Sequence, residues 1–198
     1  MSIEIKKDDT EIRIKKTAKK LFFGEGKFNA TTQEIADAAG VNRTLINYYF
    51  RSRDNLFNLV FEEAQEEEME KSHAIMVSGL TFREKLERFI DDSMKSAMQY
   101  PYLETYLVTQ MNQGCVSKNP DDFEKVQKQL KIELDEEIEK GNVAPISTVH
   151  FMLNIASLVS FPTCMRSLFQ KNLKISDEEY DNILKERKDI ILKTIFKN

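Results

Sequence analysis

A Ser/Thr-x-x-Glu pattern occurs three times in this 198-residue chain, beginning at Thr31, Thr81 and Ser176. In such a capping box the hydroxyl accepts a hydrogen bond from an unpaired N–H at a helix start, and the glutamate reaches back to the capping residue. The segment 119–122, Asn-Pro-Asp-Asp, indicates a fourth helix start by its cap residue, proline and acids. Because only 6 Gly and 4 Pro are present to interrupt helices, the sequence predicts an all-α fold.

Apolar residues recur at helical spacing, and no segment shows the alternation typical of a strand. Two short helices are predicted within residues 31–50, and the segment 146–170 is predicted to be a helix that is apolar nearly all round. Such a helix must be covered on all sides, and Pro162 is expected to kink it. The other predicted helices cover residues 11–23, 53–77, 82–100, 102–112, 120–140 and 177–196.

The net charge of −4 is unevenly distributed along the chain. Residues 1–53 carry 11 basic and 7 acidic residues, whereas the rest of the chain carries 18 basic and 26 acidic residues, so the two parts are +4 and −8. A basic N-terminal segment on an acidic body is typical of nucleic-acid binding at one end. Many solvated helices carry a few extra lysines, however, so the pattern alone does not establish DNA binding.

Targeting signals are not evident in the sequence. No apolar run follows the first residues, so a signal peptide is not expected. The long uncharged stretch 141–165 contains several polar residues and reads as a buried helix rather than a membrane span. Cys115 and Cys164 are too few for a disulfide framework. The sequence therefore predicts a cytoplasmic protein with reduced thiols and no membrane partner.

The residues 31–50, TTQEIADAAGVNRTLINYYF, carry the pattern of a helix-turn-helix. Gly40 suits a turn that needs positive φ, and Asn42 can cap the second helix. At about 100° per residue, the second helix has a polar, basic and aromatic arc opposite Leu45, Ile46 and Tyr49. This arc is suited to a DNA major groove, although an ordinary helical hairpin with a solvated face remains an alternative. The arc consists of Arg43, Thr44, Asn47 and Tyr48.

The wider segment from Ile14 to Phe61 resembles the tetracycline-repressor-like (TetR) family of bacterial transcription regulators. The matching residues read AKKLFFGEGKFNATTQEIADAAGVNRTLINYYFRSRDNLFNLV. The resemblance implies an N-terminal three-helix DNA-binding head with a helix-turn-helix, in residues 1–53. It also implies a C-terminal helical ligand-binding and dimerisation domain, in residues 54–198. The second-helix sequence departs from the family pattern at Leu45 and Asn47, where Thr and Tyr are usual.

Roles on the second helix follow from side-chain chemistry. Arg43 is suited to reading guanine, and Thr44 to a thymine methyl or a phosphate. Asn47 could read adenine as a bidentate partner, or the loss of the family tyrosine there could simply remove a phosphate contact. Tyr48 is expected at the sugar-phosphate backbone. Tyr49 is ambiguous, because the helical arc places it inward whereas the family often turns this aromatic toward the DNA backbone.

Phosphate contacts are also expected beside the second helix. Thr32 and Gln33 open the first short helix, whose N-terminal amides suit a phosphate. Arg53, at the start of the next helix, is a predicted phosphate clamp. The predicted DNA-binding residues are therefore Thr32, Gln33, Arg43, Thr44, Asn47, Tyr48, Tyr49 and Arg53.

A weakly charged stretch suggests a small-molecule effector site. Between Ser96 and Ser117 only Glu104 is acidic or basic. The stretch could form the wall of an apolar pocket, or it could simply be core. An apolar ligand is favoured, with Glu104 leaving room for a cationic one. The residues predicted to line the site are Met94, Met98, Tyr102, Tyr106 and Met111.

Catalytic and metal-binding chemistry is not indicated. His73 and His150 are the only histidines, and neither has a cysteine or carboxylate at ligand spacing. No phosphate-binding glycine loop or nucleophile–base set is present, so neither an enzyme nor a cofactor is expected. Cys115 leaves redox sensing as a minor option.

Three classes of function follow. The favoured one is a ligand-responsive repressor that binds a palindromic DNA operator as a homodimer. The resemblance to the TetR family implies that the last two long helices of each subunit form the dimer as a four-helix bundle. The alternative is a structural DNA-binding protein of the same fold that is controlled by a protein partner. An enzyme with an incidental helix-turn-helix is disfavoured, because no catalytic constellation is present.

Overall fold

The computed structural model describes the backbone of residues 2–112 and 120–197, and the side chains of residues 9–110 and 124–197. Every regular element in those residues is helical, so the predicted all-α fold is confirmed. An isolated bridge between Val143 and Phe196 is the one strand-like pairing there. The helices are α1 (Ser2–Lys19), α2 (Thr32–Ala39), α3 (Arg43–Phe50), α4 (Arg53–Met76), α5 (Phe82–Gln99), α6 (Leu103–Asn112), α7 (Pro120–Glu139), α8 (Thr148–Cys164), α9 (Arg166–Leu173) and α10 (Asp177–Ile195).

The first helix starts earlier than predicted and ends in a π-helical turn, Lys20–Gly24. Its wider spiral is closed by the N–H of Glu25, which donates to the carbonyl of Lys20 at 3.0 Å. Phe22 and Phe23 are adjacent in sequence, and both are fully buried around this turn. The turn therefore lets two consecutive aromatic side chains enter the core.

The chain forms two compact units. We name residues 1–68 with residues 100–103 the head, and residues 69–99 with 104–198 the body. The predicted division of function, with DNA contact in 1–53 and regulation in 54–198, concerns activity rather than compactness and remains a prediction.

The head is closed by an aromatic core. The ring centroids of Phe22 and Phe57 are 4.8 Å apart, and those of Phe23 and Phe57 are 5.7 Å apart. Phe28 and Phe61 pack on the edge of the same cluster. Because these rings come from α1, the following loop and α4, their burial holds the three segments around the helix-turn-helix.

The body buries the apolar faces of α5, α7, α8 and α10 against one another. Leu134, Leu184 and Ile191 are almost fully buried in its centre. A buried ion pair crosses this core, with 2.6 Å between Lys85 Nζ and Glu133 Oε1. Such a pair specifies how α5 and α7 align, because an unpaired buried charge would be costly.

The predicted single helix over residues 146–170 is wrong. The segment forms two helices, α8 and α9, that meet at Met165 with a bend of 60°. Pro162 has no N–H, so the carbonyl of Leu158 loses its helical partner, and Arg187 Nη2 donates to that oxygen at 3.1 Å. The hydroxyl of Tyr180 donates to the carbonyl of Pro162 at 2.6 Å. Side chains of α10 thus satisfy the backbone groups left free near the break.

Length and apolar composition decide whether a helix can cross a membrane. In the part of the chain that the structure describes, no single helix is long and apolar enough to cross a membrane. The bent pair α8 and α9 meets the two criteria together. A core helix can meet them as well, and Phe151, Ile155 and Val159 of α8 are buried in the body.

Candidate nucleic-acid interface

The N-terminus of α2 is formed by the predicted capping box. The N–H of Glu34 donates to Thr31 Oγ1 at 3.2 Å, and the N–H of Thr31 donates to Glu34 Oε2 at 2.7 Å. The backbone N–H and the hydroxyl of Thr31 hold the pKa of Glu34 below its usual range. The helix ends at Gly40, whose φ of 62° is left-handed, so the glycine predicted for this turn is needed there.

The start of α3 is capped by Asn42, also as predicted. Asn42 Oδ1 accepts hydrogen bonds from the N–H of Thr44 at 2.9 Å and from its hydroxyl at 2.8 Å. Ile46 and Phe50 are buried and anchor the helix to the head. The cap and these two anchors set the rotation of α3, and therefore decide which side chains face outward.

The predicted polar arc of α3 lies on the surface of the head. Arg43, Thr44, Asn47 and Tyr48 are all exposed, and 67% of Tyr48 is accessible. Tyr49 lies between the two alternatives, since it is half-buried and its ring stands edge-on to that of Tyr48 at 5.2 Å. Four polar side chains of one helix can thus be presented to a groove together.

Thr32 and Gln33, the two predicted phosphate-contacting residues at the start of α2, differ in exposure and in hydrogen bonding. Thr32 is half-buried at the first helical position. Gln33 is exposed, and its Nε2 donates to Asp37 Oδ1 at 2.7 Å. A phosphate that took Gln33 as a donor would have to compete with the Asp37 carboxylate, whereas the backbone N–H of Thr32 needs no rearrangement.

Arg53 is engaged inside the head. Its guanidinium lies 5.3 Å and 5.1 Å from the ring centroids of Phe22 and Phe57. Nε donates to the carbonyl of Ala30 at 3.3 Å, and Nη1 contacts Asp54 at 3.0 Å. Its Nη2 is buried and has no hydrogen-bond partner in the described residues. Arg53 therefore links the start of α4 to the core, and its predicted phosphate contact remains a prediction.

Arg51 was not among the residues predicted from the sequence. It is exposed at the C-terminus of α3 and has a positive φ of 64°. The sequence does contain one indication of a turn at Arg51. Only Arg51 separates the predicted end of α3, at Phe50, from Ser52, which precedes the next predicted helix. Ser52 Oγ accepts a hydrogen bond from the N–H of Asn55 at 3.1 Å at the start of α4. So short a connection requires a sharp reversal of the chain.

The predicted ligand-lining residues belong to both units, and their role remains a prediction. Met94 is buried in the core of the body, and Met98 packs against that core. Tyr106 is a half-buried residue of α6. Tyr102 belongs to the head, where its N–H donates to the carbonyl of Phe23 at 3.0 Å.

Two residues singled out in the sequence are not fully described by the structure. The side chain of Met111 and the whole of Cys115 lie outside the described residues. Among the described residues, no three His, Cys, Asp or Glu side chains are grouped so that they could hold a metal ion. Burial raises the pKa of Cys164, the nearby Glu104 raises it further, and Cys164 is half-buried in the body.

Comparisons with known proteins agree with this arrangement. Residues 14–60 match the family model described as bacterial regulatory proteins, tetR family. A search among curated proteins found no significant match. A TetR transcription regulator from Haloarcula marismortui is 16% identical with a TM-score of 0.62, over 96% of this chain and 100% of its own. A TetR-family regulator from Marinobacter aquaeolei is 15% identical with a TM-score of 0.58, over 99% and 100%.

A third solved structure, a TetR/AcrR-family regulator from Thermobifida fusca, is 16% identical with a TM-score of 0.58, over 93% and 97% of the two chains. At these identities the structural matches establish a shared fold, and the family model establishes the DNA-binding helix-turn-helix. The match of residues 14–60 identifies the helix-turn-helix segment of this chain as that of a tetR-family bacterial regulatory protein, and over 99% of its length the chain has the fold of a solved TetR regulator.

Proposed function

We propose that the protein is a repressor that binds a palindromic operator as a homodimer and is released by a small, mostly apolar ligand. The observation that carries the proposal is the surface of α3. Arg43, Asn47 and Tyr48 are exposed together there, and no acidic residue occurs between Asp37 and Asp54. A surface that carries base-reading donors without acidic neighbours suits the edges and phosphates of a major groove.

The exposed residues of α3 are assigned separate tasks. Arg43, at the first helical position, reads a guanine through two parallel donors. Asn47, one turn later on the same face, is placed to read adenine. The hydroxyl of Thr44 already donates to Asn42, so Thr44 meets DNA through its methyl group or as an acceptor. Tyr48 and Tyr49 meet the sugar-phosphate backbone.

The homodimer is supported by the surface of the body. Leu153 and Phe161 of α8 are 57% and 55% exposed, and Ile190 of α10 is 47% exposed. Within α8 these residues stand opposite the buried Phe151, Ile155 and Val159 by helical spacing, so the helix is apolar on two faces and covered on one. A second copy that presents the same face would cover it. The two copies of α3, the recognition helix of each subunit, would then be related by two-fold symmetry.

Ligand release is supported by the course of the chain. α4 begins at Arg53 in the head and passes the boundary at residue 68, so the two units share one continuous helix. A ligand held in the body beside Met94, Met98 and Tyr106 would shift this helix and change the spacing between the two copies of α3 in the dimer. DNA binding and ligand binding would then oppose each other by the same factor in both directions.

The DNA experiment is a binding-site selection from random DNA, followed by titrations at several salt concentrations. Arg43→Ala should weaken binding by about 1–3 kcal/mol and relax the preference at one base pair per half-site. Arg88→Ala removes the same charge from an exposed residue of the body and serves as the matched control. An unchanged preference in Arg43→Ala would refute its assignment as the reading residue.

The effector experiment separates the repressor from the alternative, a structural DNA-binding protein controlled by a protein partner. Compounds that raise the melting temperature are each titrated with and without operator DNA. The repressor requires a weaker ligand affinity on the DNA-bound protein. Identical affinities in both titrations would favour the alternative. We propose that DNA binding and ligand binding both take place in the cytoplasm. The proposed function involves no catalysis and no cofactor.

A further inference from the structure

The chain reverses between α3 and α4 on a strained residue. Arg51 has φ 64° and ψ −41°, and across it the N–H of Ser52 donates to the carbonyl of Phe50 at 2.7 Å. This is a γ-turn of the positive-φ kind, which is rare and strained for a residue with a Cβ. Within the described part of the chain, Lys174 is the only other non-glycine residue with a positive φ.

The surrounding structure holds this turn from both sides. The N–H of Arg51 donates to the carbonyl of Asn47 at 3.0 Å and completes the last helical bond of α3. Ser52 then caps α4, while Phe50 and Leu56 are buried on either side of the turn. Glycine would make the same turn without strain. The arginine side chain is therefore not what the turn requires, and such outliers gather at functional sites.

The guanidinium of Arg51 is available for an outside partner. Arg51 is exposed, and no ion pair or hydrogen bond engages its side chain among the described residues. Arg43 is in the same situation, whereas Arg53 is held against Phe22, Phe57 and Ala30. The head thus has two unengaged arginines at the two ends of its recognition helix.

The spacing of these two arginines fits a groove. At about 100° per residue, Arg43 and Asn47 lie about 40° apart on one face of α3, and Arg51 follows Phe50, the last residue of the helix. Eight residues at about 1.5 Å each separate Arg43 from Arg51 by about 12 Å along the axis. The major groove of B-DNA is about 12 Å wide, so if α3 crosses the groove with Arg43 at the base edges, its C-terminal end lies near the phosphates at the edge of the groove.

We propose that Arg51 is a phosphate-contacting residue of the DNA interface, placed by the strained turn at the C-terminal end of α3. The proposal rests on the proposed DNA binding of the head. Arg43 reads a base edge, and Arg51 holds the backbone beside the groove. Arg51 then contributes affinity and salt dependence but no sequence preference.

The test compares Arg51→Gly and Arg51→Asn with the wild type, on operator fragments selected by the wild type and on random DNA. Both variants remove the charge and tolerate positive φ. Each should lose roughly tenfold in affinity on either DNA. The slope of log K against log salt should fall by about one for each head bound. The melting temperature should stay equal or rise, because the strain is relieved. Arg51→Lys keeps the charge and should retain the slope.

Lys174→Gly is the matched control, since it removes an exposed basic residue with φ 57° from the body. It should leave DNA affinity unchanged. Wild-type affinity and slope in Arg51→Gly would overturn the proposal, and so would a lower melting temperature with altered base preference. If the wild type itself bound no DNA in a salt-dependent way, the proposed function would fail instead.

Discussion

The head and the body use their surfaces in opposite ways. The head encloses its aromatic core, with Phe22 and Phe23 fully buried, and exposes polar side chains on α3. The body also has a closed core, but it leaves Leu153 and Phe161 more than half exposed. The difference matches the two proposed partners, because DNA is bound by polar and basic donors whereas a second subunit is bound by apolar area.

The same difference explains how much each unit resembles known proteins. The family model covers residues 14–60, all of them in the head. Reading DNA demands a fixed cap, a fixed turn and fixed anchors within a short segment, so its sequence pattern is specific. A body made of long helices can be built from many apolar sequences, so there the likeness to solved regulators is one of fold.

A charge placed on the exposed apolar face of α8 should weaken the proposed dimer more than any other change considered. Leu153→Asp should cost about 3–5 kcal/mol of dimer stability, because the proposed partner would bury an unpaired carboxylate. The protomer itself should stay folded, since Leu153 is 57% exposed in the single chain. Sedimentation equilibrium measures the loss of dimer, and Asn154→Asp on the adjacent exposed position is the control. An equally stable dimer would show that this face is not the interface.

A second change tests how tightly the head is closed. Gly26 has φ +68°, and a Cβ there would lie 2.9 Å from the ring of Tyr102. Gly26→Ala should lower the free energy of unfolding of the head by about 1–3 kcal/mol, through backbone strain and displacement of the ring. Chemical denaturation gives this value.

Two variants separate strain from crowding at Gly26. Gly141→Ala in the body shares the positive φ but has no neighbour within 4 Å of the added Cβ, so it reports the strain alone. In Gly26→Ala, the further change Tyr102→Ala should remove the part caused by crowding. If Gly26→Ala and Gly141→Ala lower the free energy of unfolding by the same amount, crowding against Tyr102 does not contribute at Gly26.

Capping boxes occur in both units, and each should contribute only slightly to the free energy of unfolding. The pKa of Glu34 in the head is lowered from 4.5 by its hydrogen bonds to Thr31, and those of Glu84 and Glu179 in the body are lowered by Thr81 and Ser176. A lowered pKa means that the ionised carboxylate stabilises the folded state. This stabilisation is complete above about pH 4.5 and disappears as the pH falls through the lower folded values.

Glu34→Gln should therefore be slightly less stable than the wild type at neutral pH, and the difference should vanish in acid. Urea unfolding across this pH range measures the effect. Glu139→Gln, which changes an exposed carboxylate outside the capping boxes, is the control. A difference that persisted unchanged in acid would show that the charge of Glu34 does not act through the cap.

Much of the fold could be predicted from the sequence because helix starts are decided locally. The capping box at Thr31, the cap Asn42 and the turn at Gly40 each involve residues within four positions of one another. The exposed arc of α3 follows from helical periodicity once those caps are known. All-helical structure and the helix-turn-helix were therefore determined by the sequence itself.

Contacts between distant segments were decided only by the tertiary structure. The engagement of Arg53 depends on how the loop at Ala30 and the ring of Phe22 meet α4. The break at Met165 follows Pro162, but the side chains that donate to the carbonyls of Leu158 and Pro162 there, Arg187 and Tyr180, come from α10. A local sequence pattern shows which polar groups need a hydrogen-bond partner. The packing of separate helices determines which residue supplies that partner. The short connection between α3 and α4 indicates a reversal near Arg51, but the positive φ of Arg51 and the exposure of its side chain are visible only in the folded chain.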